Sequence, residues 1–294
     1  MIAGGSGTEG RYVLEGGELS TCPTWPAYVS GNYAHGVFCQ SGGTSTFYRL
    51  TLSMPVTTGG FGEVLLSNGT LRVNGTVTKG NSGGRVELSG GRVEVLSDGA
   101  VFAEDVPVTL ATGVSGAVAF AQATTSLSNT LSGTLSGSGC LIQEGPGALL
   151  MNGVNGFSGS LAVQGGVLQV TSPLQGVTDV WADGGVLELL APVPSLTNLA
   201  VRAAGATVVF GGTAVPFPSG MTLNLAEGVV TELDFEGVVD VDRLVLGDQP
   251  KSPGLYGGAE SPAPLKPSSA YFSGTGALNV LYGPAHSGTI LSIR

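Results

Sequence analysis

The densest group of side chains with chemistry to offer is an acidic run, Glu232, Asp234, Glu236, Asp240 and Asp242. Clustered carboxylates supply the hard oxygen ligands that Ca²⁺ prefers. Beside an arginine or lysine base, such a cluster is also what cleaves pectin-like polysaccharides. Glu232, Asp234 and Glu236 alternate with Leu233 and Phe235, so on a strand the acids share one face and the apolar pair turns to the core. A solvated outer face is the preferred reading, and a weak Ca²⁺ site is the alternative. Arg72, Arg85 and Arg92 lie near glycine-rich units and would form at most a short ladder. An arginine base needs a carboxylate partner in a groove, and the sequence points to none, so outer-face charge is expected. His35, in Tyr33-Ala34-His35-Gly36, reads as a polar loop residue, and His286 lies in an apparent tail. The many serines and threonines are not assigned to a nucleophile elbow with its Asp and His. Gly137-Ser138-Gly139 lacks the third glycine and the helix of a nucleotide loop. Trp25, Tyr28 and Tyr33 read as a cap packing on the first elements, with an aromatic platform for sugar as the alternative. No catalytic, cofactor-binding or metal-ligating residue is assigned, no cofactor is expected, and the chain is read as not an enzyme.

The elements that would position any such group are set by glycine. There are 50 among 294 residues, against a typical ~7 %. No Gly-X-Y triplet repeats, which excludes collagen. Hydrophobic residues make up 42 % and charged residues 11 %, the reverse of a disordered chain. The net charge of −10 argues against nucleic acid, whose phosphates need clustered cations, and against anionic lipid. Cys22, Cys39 and Cys140 have no metal-ligand spacing. A Cys22–Cys39 bridge and buried free thiols both remain open. No run is apolar enough for a membrane helix. The first residues show no signal peptide, and a start after the signal fits the remaining features better than a cytosolic chain.

One pattern recurs: apolar, x, apolar or Gln, x, a Gly-Gly or Asn-Gly pair, x, apolar. Its copies begin at Tyr12, Phe38, Val64, Val86, Leu161 and Val180, in steps of 26, 26, 22, 75 and 19. The long step is close to three periods of 25. Each copy reads as strand, tight turn, strand, with the glycines supplying positive φ at a corner. The same motif also suits an antiparallel hairpin. The spacing and the short strands favour one coil of a β-solenoid per copy. The run 115–127 is alanine-rich, but Gly116 and the paired threonines favour strands over helix. The expected fold is all-β, a right-handed parallel β-helix of about 12 coils, roughly 55–60 Å long at the strand spacing.

Residues 131–170 carry the sharpest signature. Gly137, Gly139 and Leu141 are followed by Gly145, Gly147 and Leu149, then Gly153, Asn155, Phe157 and Gly159, then Gly166, Leu168 and Val170. This segment resembles the passenger-associated transport repeat, or autotransporter-associated β-strand repeat, of bacterial autotransporter surface proteins. The glycine pairs of residues 11–95 resemble the strand repeats of related surface proteins. Val241 to Gly247, Gly254 to Gly257 and Phe272 to Val280 are similar to their closing cassette. The resemblance implies a right-handed parallel β-helix, export to the cell surface or medium, and a structural or adhesive scaffold. Surface glycans or host and neighbouring-cell ligands are the partners it implies. A membrane barrel would need many alternating strands with aromatic girdles, and none is read here, so membrane insertion by this chain is not expected. The alternatives are a polysaccharide-active β-helix lyase or hydrolase and a carbohydrate-binding module.

The expected organisation is a β-helix start or cap with an irregular insertion over 1–50, parallel β-helix over 51–249, a proline-rich loop over 250–267, and terminal strands with a tail over 268–294.

Overall fold

The computed structural model describes residues 1–55, 59–112, 117–132, 135–153, 155–212, 218, 220–263 and 270–284. His286 and the end of the tail lie outside them. The described residues contain strands and turns and no helix, and almost every strand pairs in parallel with strands one coil before and after it. Three faces result. The first holds seven strands, from Glu9–Leu14 to Asn155–Phe157. The second holds twelve, beginning at Glu18–Ser20. Eleven of these run parallel up to Arg243–Leu246, and Gln249–Pro250 folds back antiparallel. The third begins with Ala27–Ser30 and Leu50–Ser53. It is joined by the bridges Thr51↔Thr78 and Val77↔Phe102 to an eight-stranded stack that starts at Gly99–Phe102. Eleven parallel rungs make about ten turns, close to the dozen expected, and about 48 Å of rod at the strand spacing.

The glycine motif makes the corners. Tyr12, Phe38, Val64 and Val86 stack in register on the first face. The glycines that follow, Gly17, Gly43, Gly69 and Gly91, all have positive φ, from 65° to 85°. Their carbonyls accept the amides of the next coil, as in Thr44 N to Gly17 O and Thr70 N to Gly43 O, both 2.9 Å. Leu161 and Val180 also stack on one another, but on the second face. The 75-residue step is therefore not three coils along one column. It passes from the corner between faces one and two to the corner between faces two and three, where Gly166 and Gly185 repeat the same turn at φ 63°. The motif marks a type of corner rather than one position in the coil.

Alternation turns every second residue inward, and parallel register piles these into columns. One column on the second face runs Val118, Leu141, Leu161, Val180, Leu199, Leu223 and Leu244, every member buried. Such side chains contribute about 1.5–3 kcal/mol each by burial. They belong to one core cluster that extends from Leu14 to Val280. Where the motif has Gln, the amide seals the corner from inside. Gln40 Nε2 donates to Gly43 O at 3.1 Å and Thr70 O at 3.0 Å, and Ser45 Oγ donates to Gln40 Oε1 at 2.7 Å. Gln143 Nε2 donates to Gly145 O and Gly147 O at 3.3 and 3.2 Å.

Coil length changes along the rod. Register steps Glu9 to His35 to Phe61 in the first coils, and Leu161 to Val180 to Leu199 further on. The later coils have no first-face strand, and Leu174, Val177, Val193 and Leu196 close the core there. In the alanine-rich run, Ala117–Gln122 is a strand, as expected, while 115–116 lie outside the described residues. The proline-rich segment is not wholly loop: Gly254–Gly257 is a strand that folds back antiparallel on Ala277–Val280.

Gly69→Ala should lower the midpoint of urea denaturation by the equivalent of about 1–3 kcal/mol for the left-handed φ alone. Further loss is expected because a Cβ there would sit 2.5 Å from Gly43 O. Gly16, the first glycine of its pair, has open space around it, so Gly16→Ala should be close to neutral. Equal midpoints for the two variants would contradict the corner argument.

Candidate functional site

The acidic run lies where its alternation puts it. Glu232, Asp234, Glu236 and Asp240 are exposed, Asp242 is half-buried, and Leu233 and Phe235 are buried. Asn279 Nδ2 donates to Asp240 Oδ1 at 2.8 Å across the coil boundary. Among the described residues, no three His, Cys, Asp or Glu side chains come together as a metal-ligand set.

The arginines do have carboxylate partners, one or two coils away. Arg72 Nε lies 2.6 Å from Glu94 Oε2, and Arg85 Nη2 lies 3.3 Å from Glu63 Oε2. In both cases the partners are in register on adjacent rungs. Arg92 pairs with Glu144 two coils on. The three do not form one ladder, because Arg85 stands on the first face and the others on the second. Each carboxylate is half-buried while its guanidinium reaches solvent, and such surface pairs are worth about 0–1 kcal/mol. His35 is not a loop residue. It heads the strand His35–Gln40, where pairing on both sides fixes its backbone. Its Nε2 approaches Glu63 Oε1 to 3.4 Å without the alignment of a hydrogen bond, and its ring meets Phe61 edge-on at 5.9 Å. Glu63 is thus shared between His35 and Arg85. Gly80-Asn81-Ser82-Gly83-Gly84 has the spacing of a nucleophile elbow. That motif requires a turn from strand into helix, and here it leads into the strand Gly83–Leu88.

The three aromatics do not line a common site. Trp25 is 72 % exposed, and Tyr33, at φ 49°, is 58 % exposed. Of the three, Tyr28 alone lines a lateral groove of about 540 Å³. The floor of this groove is the outer side of the third face. Tyr28 stands opposite Thr51 and Thr51 opposite Thr78, and the two threonine hydroxyls are hydrogen-bonded at 3.0 Å. Ala103 ends the row. Corner segments build the walls. Pro26, Arg49, Asn74, Gly75 and Thr76 precede the floor strands, while Pro55, Lys79, Gly80, Asn81 and Asp105 follow them. Gly80, at φ 80°, lets its wall lie on the preceding coil, because a Cβ would fall 2.0 Å from Ser53 O.

Two cations face this groove. Lys79 Nζ is held 3.1 Å from Asp105 Oδ2 and donates to Asp105 O at 3.3 Å. Arg49 is exposed and makes no ion pair among the described residues. The lining offers hydroxyl and amide hydrogen bonds, one phenol ring and positive charge, which is equipment for recognition. It was invisible as a motif, because Tyr28, Thr51 and Thr78 meet only through the coil register.

The three cysteines are free thiols. Cys22 is exposed, Cys39 is buried, and Cys140 lies between. The backbone amide of Thr24, then its hydroxyl, lower the Cys22 pKa. Burial pushes the Cys140 thiol up to about 11. The thiolate is the reactive form, so a maleimide at neutral pH should label Cys22 first and Cys140 slowly. Cys39 should react only after unfolding. Mass-spectrometric mapping of labelled peptides checks the order, and native-state labelling of Cys39 at the rate of Cys22 would refute it.

No helix among the described residues is long and apolar enough to cross a membrane. No family model matches the chain, and no curated protein or solved structure was found to match it.

Proposed function

We propose that the chain is a non-enzymatic structural scaffold, a passenger-like region of a bacterial cell-surface or secreted protein, with adhesion as its task. The observation that supports this most is how the coil geometry accounts for the repeat over 131–170. Its apolar positions Leu141, Leu149, Phe157, Leu168 and Val170 are all completely buried. Its glycines sit where a side chain would strike the coil beneath. A Cβ on Gly137 would lie 2.2 Å from Leu110 O, and one on Gly166 would lie 2.1 Å from Gly147 O. The motif that carries the resemblance is thus a stacking motif. Its residues are accounted for by building a rod, which leaves the outer faces free to vary.

A second reading, a carbohydrate-binding module, is favoured by the lateral groove. A polysaccharide-active enzyme is the third, for which the His35–Glu63–Arg85 chain is the nearest candidate.

Two measurements test the surface location and the enzyme reading. A cell-impermeant thiol reagent should label Cys22 on intact cells, and labelling only after lysis would remove the surface assignment. Incubation with pectins, alginates and glycosaminoglycans should release no products. Reproducible cleavage that disappears in Glu63→Gln would replace the scaffold with an enzyme. The rod itself predicts tolerance to loss of a whole coil. Leu161 is in register with Val180, and Val167 with Val186. Deleting residues 161–179 therefore joins Ser160 to Val180 in phase. Because solenoid stability is a sum over neighbouring coils, the shortened chain should keep a β-type circular dichroism spectrum and unfold cooperatively. Collapse to a disordered spectrum would contradict modular stacking.

A further inference from the structure

We infer that the groove on the third face binds an acidic oligosaccharide, a chain of sugars carrying carboxylates or sulfates. This gives the groove of the carbohydrate-binding reading a substrate class and rests on that reading, not on the scaffold one.

The first argument is charge. The whole chain has 21 acidic and 11 basic residues, yet the groove lining has Arg49 and Lys79 against a single acid, Asp105. That acid is already engaged by Lys79. Arg49 is left with a planar donor fork suited to a carboxylate or sulfate. The second argument is the floor. Thr51 and Thr78, with Thr76, Asn74 and Asn81 around them, offer both donors and acceptors to a ligand rich in hydroxyls. Tyr28 supplies a ring at one end of the row. The third is size. About 540 Å³ falls within the ~300–1,000 Å³ of small-ligand sites. The floor also continues along the rod across successive rungs, which suits a linear chain.

Other occupants fit less well. A peptide adding as a strand needs an open sheet edge, whereas Thr51 is paired on both sides, to Tyr28 and to Thr78. A nucleic acid needs more cations than two.

The test uses the full chain and calorimetric titration with three probes: tetragalacturonate, a sulfated tetrasaccharide and neutral galactotetraose. One or both acidic probes should bind, and the neutral one should bind at least roughly tenfold more weakly, since a charge-assisted contact is lost. The acidic probe that binds names the source of the charge. Arg49→Ala should weaken that binding roughly tenfold or more, with Arg49→Lys retaining part of it. The Arg49 side chain is exposed and its carbonyl alone serves the fold, accepting Ala27 N at 2.7 Å, so unchanged thermal melts are expected. Arg11→Ala, at an exposed cation on the first face, should leave binding unchanged. No binding of either acidic probe below about 1 mM would overturn the inference. So would equal binding of the neutral probe, or equal loss in Arg49→Ala and Arg11→Ala.

Discussion

Apart from a few local turns, the backbone of each coil hydrogen-bonds to its neighbours rather than to itself. An amide such as Thr70 N finds its acceptor in Gly43 O of the preceding coil, and Arg92 N finds Gly69 O in turn. An unpaired backbone group away from water costs as much as a lost hydrogen bond, so successive coils must keep close contact at every corner. Close contact there excludes side chains, and the sharp change of direction calls for a positive φ. Glycine meets both demands at once. The glycine content of the chain, its short strands and its even alternation all follow from this one requirement.

Register imposes a second consequence inside the rod. Each interior side chain rests on those above and below it, so the core is a set of columns rather than a single packed centre. The polar residues that join a column use the same geometry for part of their hydrogen bonding, although Gln143 Oε1 and Thr231 Oγ1 stay without a partner among the described residues. Gln40 does so by reaching Gly43 O in its own corner and Thr70 O in the coil above. Gln143 reaches Gln122 Oε1 beneath it at 2.6 Å. The interchange of Leu and Gln at this point of the motif is therefore not loose patterning. The position lies where a core column meets the carbonyls of a turn, and either an apolar plug or an amide fills it.

This division between corners and surfaces explains how much was legible in the sequence. The corner is a local object. Its strand, glycine pair and strand fall within eight residues, so the solenoid, its strands and the inward faces of Leu233 and Phe235 could be read directly. The surface is not local. Arg72 meets Glu94, Arg85 meets Glu63 and Tyr28 lines up with Thr51 because they lie one coil apart. That offset changes from coil to coil: Glu9 faces His35, Phe61 faces Gly83, and Leu161 faces Val180. With no constant spacing, neither the arginine partners nor the groove forms a motif. The same variation made the 75-residue step look like whole coils on one column, when it carried the motif to a different corner.

Coil length also decides where chemistry can sit. A closed core needs only a minimum circumference, and the coils that place Leu161 under Val180 and Val180 under Leu199 are near it, with their first face reduced to turns. They have little chain left over to build walls. The earlier coils, stepping from Glu9 to His35 and from Tyr28 to Thr51, carry extra residues, and these emerge at the corners beside the third face. There they raise Arg49 on one side and Lys79 on the other, above a floor of hydroxyls. Repeating units give the rod its stiffness, and departures from the repeat give it a site. A recognition function in such a molecule is therefore expected in the long coils, and the short ones are expected to hold them in place.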